Sequence, residues 1–180
     1  MQFHPGRLAG VVVIEPRVFA DERGFFQELF HRGRFAEAGL DVDFVQDNLS
    51  RSHRSVVRGL HYQIEQPQGK LVRAMSGEVF DVAVDLRRTS PTFGQWEGFR
   101  LSEENRKAVY IPPGFAHGFC VLSDSADVLY KCTALYAPQF ERTLLWNDPT
   151  VNVDWPLSEP AIVSAKDLAG QLLDAAEKFS

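Results

Sequence analysis

The chain predicts a mostly β fold, a sandwich or barrel of short strands, on three observations. Runs rich in β-branched and aromatic residues recur along it: GVVVIEP, GFFQELF, KLVRAM, EVFDVAVDLR, AVYIPP and VLYKCTALY. Clusters of Gly, Pro, Asn and Ser separate these runs at regular spacing, as hairpins and tight loops require. Only two segments carry helical periodicity, a short one near residues 32–38 and a terminal one near 166–178. In the terminal segment Ser164 can cap, and Leu168, Leu172, Ala176 and Phe179 recur at spacings of four, four and three. The expectation is a helix docked on the barrel by that face.

At 180 residues and 44% hydrophobic composition the chain suffices for one domain with a real core, expected to span residues 1–180. Its 19 basic and 24 acidic residues are interspersed, for a net charge of −5. No basic block exists to neutralise a nucleic-acid backbone, so any phosphate binding should be local. Cys120 and Cys132 form neither a disulfide framework nor a Cys-x-x-Cys pair, and read as small buried thiols. The apolar run around Val11 to Ile14 is broken at Glu15, too early for a signal peptide's core, and no stretch approaches a membrane span. The expected location is the cytoplasm, without a membrane partner.

Strand alternation says which side chains can meet. In VLYKCTALY the residues Val128, Tyr130, Cys132, Ala134 and Tyr136 would share a face. His61 falls with Gln63, and Lys70 with Val72 and Ala74. In EVFDVAVDLR the set Phe80, Val82, Val84 and Leu86 opposes Asp81, Ala83 and Asp85. A buried Tyr or His in a β protein is more often hydrogen-bonded packing than chemistry. Several of them on the inner faces of neighbouring strands would instead make the barrel interior a site.

Pro112-x-Gly114-x-x-His117 matches the second signature of the cupin jelly-roll barrels, and Gly77 is placed to end the first. Metal-binding cupins resemble G-x5-H-x-H-x3,4-E-x6-G, in which two histidines and a glutamate join the later histidine around an ion. Here the pair is His61-x-Gln63, and Lys70 stands seven before Gly77 where the glutamate belongs. An ammonium repels a divalent cation and an amide is a weak ligand, so no metal is expected. The altered set offers an imidazole, an ammonium and phenols instead. A histidine removes protons near neutral pH, a lysine steadies an oxyanion, and a tyrosine returns a proton, a kit suited to proton transfer beside a carbonyl. A carboxylate on the far ring nitrogen would orient such a base, and Asp167 of SAKD is the candidate.

These residues lie within a pattern that is similar, nearly end to end, to the dTDP-4-dehydrorhamnose 3,5-epimerases. The matching segments are FADERGFFQE (19–28), VQDNLSRS (45–52), VVRGLHYQ (56–63), QGKLVRAMSGEVFDVAVDLRRTSPTFG (68–94), IPPGFAHGF (111–119), LYKCTALY, WNDP, DWP and SAKD. The resemblance implies a cupin barrel and inversion of C3 and C5 beside the 4-keto group of dTDP-4-dehydro-6-deoxy-D-glucose, without cofactor. It implies His61 as base oriented by Asp167, Tyr130 as acid, and Lys70 steadying the enolate; Tyr136, on the same expected strand face as Tyr130, is the next candidate for the acid. Contacts to substrate would come from Arg23, Phe26, Glu28, Gln46, Asp47, Asn48, Arg58, Lys70, His117, Tyr136, Glu141 and Lys166. Guanidinium forks suit the diphosphate, and the Phe26 ring suits the base. The family's N-terminal strands cross to a second subunit, so a homodimer with shared sites is expected. Three readings compete: a metal-dependent cupin, a relative that inverts C3 or C5 alone, and a sugar-binding cupin without catalysis.

Overall fold

A computed structural model describes residues 1–180. The first strands are β1 (Gln2–Pro5), β2 (Val12–Glu15), β3 (Val18–Asp21), β4 (Gly24–Gln27), β5 (Gln46–His53), β6 (Val56–Gln63) and β7 (Lys70–Ser76). The remainder are β8 (Glu78–Asp85), β9 (Trp96–Ser102), β10 (Ala108–Ile111), β11 (Phe115–Val121), β12 (Ser125–Cys132), β13 (Glu141–Thr143) and β14 (Ile162–Val163). Helix α1 (Arg32–Glu37) precedes β5, and α2 (Ala165–Leu168) follows β14. Strands β1-β2-β10-β7-β12-β5 form one sheet and β13-β6-β11-β8-β9 the other, with β14 beside β6. All neighbours are antiparallel except the β14–β6 pair. The β3–β4 hairpin pairs only with itself. The architecture is the expected double-sheet jelly roll.

What fills the space between the sheets changes along the strands. A cluster including Val72, Ala74, Val79, Ala83, Val109, Phe115, Phe119, Val121 and Val128 closes the barrel with apolar side chains from both sheets. The inner faces of the same strands also carry polar groups, set before or between these apolar residues. Lys70 precedes Val72 and Ala74 on β7, and His117 lies between Phe115 and Phe119 on β11. On β8 the alternation sends Val82 and Val84, and Leu86 just past the strand's end, outward into a second cluster, roofed by Leu173 and Ala176 of the C-terminal segment. Helix α1 forms as expected; the His31 imidazole accepts from the Arg34 amide at 3.3 Å, and Phe35 is sealed against Ile14, Leu71 and Tyr110.

Two sequence expectations are corrected. The terminal helix near 166–178 is one turn, and only half of the intended face packs: Ala176 and Phe179 reach the core, Leu168 and Leu172 are exposed, and Leu173 is buried in their place. After Gly170 the backbone finds better partners than its own next turn. The Gln171 amide donates to the Thr143 carbonyl at 2.9 Å and the Leu145 amide to Gln171 at 2.8 Å. Leu173 donates to buried Asp148 at 2.8 Å, and the Phe179 amide reaches the Leu86 carbonyl at 3.1 Å. Likewise β12 ends at Cys132, so Ala134 and Tyr136 do not continue its alternation.

Strand β6 approaches β11 unusually closely. Gly59 has φ +118°, and a Cβ there would stand 2.6 Å from Gly118 Cα and 2.8 Å from the His117 carbonyl oxygen. Both neighbours are backbone and cannot swing aside. Gly59→Ala is therefore expected to cost about 1–3 kcal/mol through overpacking and to lower the melting temperature by roughly 3–10 °C in thermal denaturation. An unchanged midpoint would contradict the tight crossing.

Candidate active site

Strand pairing brings the site together. His61 is in register with His117 on one side and with Thr143 on the other. Parallel pairing of β14 with Val56 and Val57 delivers the next turn, α2, to the same strand. Ser164 Oγ caps that turn by accepting from the Asp167 amide at 3.1 Å. Asp167, buried, then accepts from His61 Nε2–H at 2.6 Å through Oδ1 and from the Gly59 amide at 3.2 Å through Oδ2. With its proton held on Nε2, the neutral imidazole keeps its lone pair on Nδ1.

Two adjoining cavities meet at this histidine. The larger, about 270 Å³, is lined by Gln46, Asn48, Gln68, Tyr136 and Glu141 together with His61, Lys70 and Tyr130. The smaller, about 120 Å³, shares the last three and adds Ser50, Arg58 and His117. Lys70 is buried, with Nζ 3.5 Å from the His61 carbonyl oxygen. Burial pulls its pKa down, and the charges of Asp81 and Glu141 are among those that oppose the shift. Burial raises the Tyr130 phenol, helped by Cys132 and opposed by Arg58, so it remains a proton donor. Arg58 donates through Nε to Ser52 Oγ at 2.9 Å, which leaves the outer guanidinium nitrogens free for a ligand.

Around the mouth, polar side chains hold one another. Tyr136 donates its hydroxyl to Glu141 Oε2 at 2.8 Å, and Lys166 Nζ lies 2.6 Å from the same oxygen. Burial raises the Glu141 carboxyl, but Lys166 and Tyr136 outweigh it and hold the pKa low. Gln46 accepts from the Tyr136 amide at 2.8 Å and donates to Asn48 at 2.9 Å. Gln63, at the metal-cupin ligand position, spends its amide on backbone: it donates to the Gln66 and Leu135 carbonyls and accepts from the Ala137 amide. It latches the loop after β12 in place, with both donors and its oxygen turned to backbone partners. No group of three or more His, Cys, Asp or Glu side chains is arranged so that it could hold a metal ion.

Not every expected residue reaches the cavities. Asp47, flanked by the inward Gln46 and Asn48, points outward by strand alternation and pairs with Lys131 at 2.7 and 2.8 Å. Arg23 and Phe26 sit on the β3–β4 hairpin, where Arg23 bonds Asp21. Glu28 pairs with Arg34 at 2.6 Å beyond that hairpin. None of these three lines the cavities of its own chain. Sequence reasoning missed Ser50, Ser52 and Gln68, whose types are common in loops and strands and carry no signal. It also left unassigned the buried Asp81, which bonds His117.

Fold and site together define a cupin-fold sugar-nucleotide epimerase. The model of the dTDP-4-dehydrorhamnose 3,5-epimerase family matches residues 5–175, and the chain belongs to that family. It is 59% identical over 170 residues to the dTDP-4-dehydrorhamnose 3,5-epimerase of Pseudomonas aeruginosa, covering 94% of each chain. The Legionella pneumophila dTDP-6-deoxy-D-glucose-3,5-epimerase, solved in complex with dTDP-4-keto-L-rhamnose, superposes with a TM-score of 0.95 at 51% identity, over 98% of this chain and 94% of that one. A 3'-monoepimerase from Streptomyces bikiniensis, solved with dTDP-quinovose, gives 0.90 at 34% identity, over 95% and 87%.

The Asp167 carboxyl is pushed up by burial but held below its ordinary value by His61, the Gly59 amide and Ser164. A depressed carboxylate contributes stability that is present above its unfolded pKa and lost as pH falls through the folded value. Asp167→Asn is therefore expected to destabilise most at neutral pH, with the gap to wild type closing below about pH 4. Urea denaturation of both proteins from pH 7 to pH 3 measures it. A gap that does not narrow would show that Asp167 is not held as an anion.

Proposed function

We propose that the protein inverts C3 and C5 of dTDP-4-dehydro-6-deoxy-D-glucose by acid–base chemistry alone, giving dTDP-4-dehydro-L-rhamnose. The observation that carries this reading is the convergence of His61, Lys70 and Tyr130 on the wall shared by the two cavities. His61 Nδ1 removes the proton beside the 4-keto group, and Asp167 stabilises the imidazolium that forms. The Lys70 ammonium faces the enolate oxygen, where a buried cation counts most. Tyr130 returns a proton to the opposite face of the sugar. Arg58, Gln46, Asn48, Tyr136, Glu141, Lys166 and His117 bind the nucleotide and sugar. No metal is needed, since an ammonium and an amide bonded to backbone stand where metal cupins place ligands. The free, buried thiols of Cys120 and Cys132 suit a reducing compartment, the cytoplasm.

Inversion needs a proton to leave one face and another to arrive on the other. His61→Asn is expected to abolish both deuterium uptake at C3 and C5 and inversion. Tyr130→Phe keeps the base but deletes the donor, so uptake with retained configuration should outrun inversion. The loss of inverted product should be about 10²- to 10⁴-fold. NMR of the sugar nucleotide in deuterated water follows both. Normal inversion by Tyr130→Phe would make Tyr136 the acid; no uptake at either carbon by the unmodified enzyme would leave a binding protein, and uptake at one carbon a monoepimerase.

The same reading makes the protein a homodimer in which the β3–β4 hairpin completes the partner's site. Phe19, Phe25 and Phe26 on the hairpin and Leu49 on edge strand β5 are exposed, apolar surface that an isolated chain leaves in water. Arg23 and Phe26 would then meet the nucleotide of the second subunit, together with Glu28. Mixed dimers test this directly. His61→Asn and Arg23→Ala homodimers should each be impaired, and subunit exchange should restore one intact site per mixed dimer. Failure of restoration despite exchange would sink the shared site.

A further inference from the structure

Asp81 has no exposed surface and lies on β8 beside Val79 and Ala83 of the apolar cluster. Its Oδ2 accepts from His117 Nε2–H at 2.8 Å, and its Oδ1 has no hydrogen-bond partner. A carboxylate this deep with one strong bond is costly, and apolar replacement of such buried pairs is often neutral or stabilising. Stability alone gives no reason for it here. The other end of the imidazole borders the smaller cavity, where Nδ1 makes no bond within the chain.

We propose that Asp81 is a positioning residue that fixes His117 as the Nε2–H tautomer, so that Nδ1 presents a hydrogen-bond acceptor to a hydroxyl of the bound sugar. The inference rests on the sugar-nucleotide reading of the cavity. Its force comes from the neighbours. Lys70 and Arg58 bring only donors to that wall, Ser50 and Tyr130 bring hydroxyls, and the one other ring lone pair, on His61 Nδ1, is taken up by the proposed proton abstraction. Such a wall would attract a phosphate as readily as a sugar. A bare lone pair at His117 Nδ1 repels an anionic oxygen and welcomes a hydroxyl, and so sets which end of the substrate enters. Burial lowers the His117 pKa, Asp81 opposing it, and the net shift favours the neutral ring.

The test combines a spectrum with a binding ratio. Two-bond proton–nitrogen correlation on the ¹⁵N-labelled wild-type protein should show His117 protonated on Nε2 and bare on Nδ1. Asp81→Asn preserves volume but can donate to Nε2, so part of the proton population should move to Nδ1. Its KM for the dTDP-sugar should rise about three- to tenfold, the worth of one hydrogen bond, while the Kd for dTDP stays unchanged. A merely structural role would lower the melting temperature without moving the tautomer or the ratio of the two affinities. Wild-type His117 carrying its proton on Nδ1 would overturn the proposal, and this needs no variant to fold. An unchanged affinity ratio in Asp81→Asn would overturn it too. Wild-type protein without turnover would instead overturn the epimerase reading itself.

Discussion

The 2.6 Å bond between His61 and Asp167 is the constraint around which the functional end of the barrel is arranged. It joins residues 106 positions apart, so nothing local in the chain can make it. Three strands touching β6 do so together. β11 supports one side, β13 the other, and the two-residue β14 brings the capped turn that carries Asp167. The C-terminal segment forgoes further helix for bonds to Thr143, Leu145 and Asp148, and those bonds tie it down just beyond the aspartate. A charge-assisted bond of this kind is worth about 1.5–3 kcal/mol, which would not hold a frayed terminus in one geometry without such anchoring.

The barrel interior divides its work between two sets of residues. The apolar cluster supplies hydrophobic stabilisation, roughly 25 cal/mol for each square ångström removed from water, and frees the polar groups from packing duty. Around the cavities, side chains are held by hydrogen bonds among themselves and to backbone, as in the run from Tyr136 through Gln46 to Asn48. A preorganised polar wall costs stability when empty and repays it when a charged ligand arrives, because its dipoles need not reorient at the moment of reaction. The Lys70 and Arg58 cations fit a substrate carrying a diphosphate at one end and a developing enolate at the other.

Much of this was legible in the sequence because strands encode their two faces directly. The period-two placement of His61, Gln63, Lys70 and Asp81 survives in the structure, and the cupin signature ending at His117 located the second inward histidine. Asp167 was found through chemistry, since a histidine base calls for a carboxylate on its far nitrogen. What failed depended on competition between distant backbones. Leu168, Leu172, Ala176 and Phe179 have helical spacing, yet Gly170 lets the chain leave the helix where Thr143 and Leu145 offer strand-like bonds. The same alternation that placed Gln46 and Asn48 inward sends Asp47 outward to Lys131. Pattern can say that Asp81 points inward, but its partnership with His117, 36 residues later, depends on strand order.

The two histidine–aspartate pairs differ in a way that separates their duties. His61 retains 29% of its side-chain exposure and opens on both cavities, whereas His117 retains 7% above a carboxylate with none. A base that cycles between neutral and charged forms needs a partner charge and room for solvent or substrate to accommodate the change. A ring sealed in the interior and beside the Lys70 cation resists a second proton despite Asp81, which suits a fixed hydrogen-bond acceptor. Identical residue types, set in register on neighbouring strands, thus differ in depth in the sense that the proposed base and the proposed fixed acceptor require.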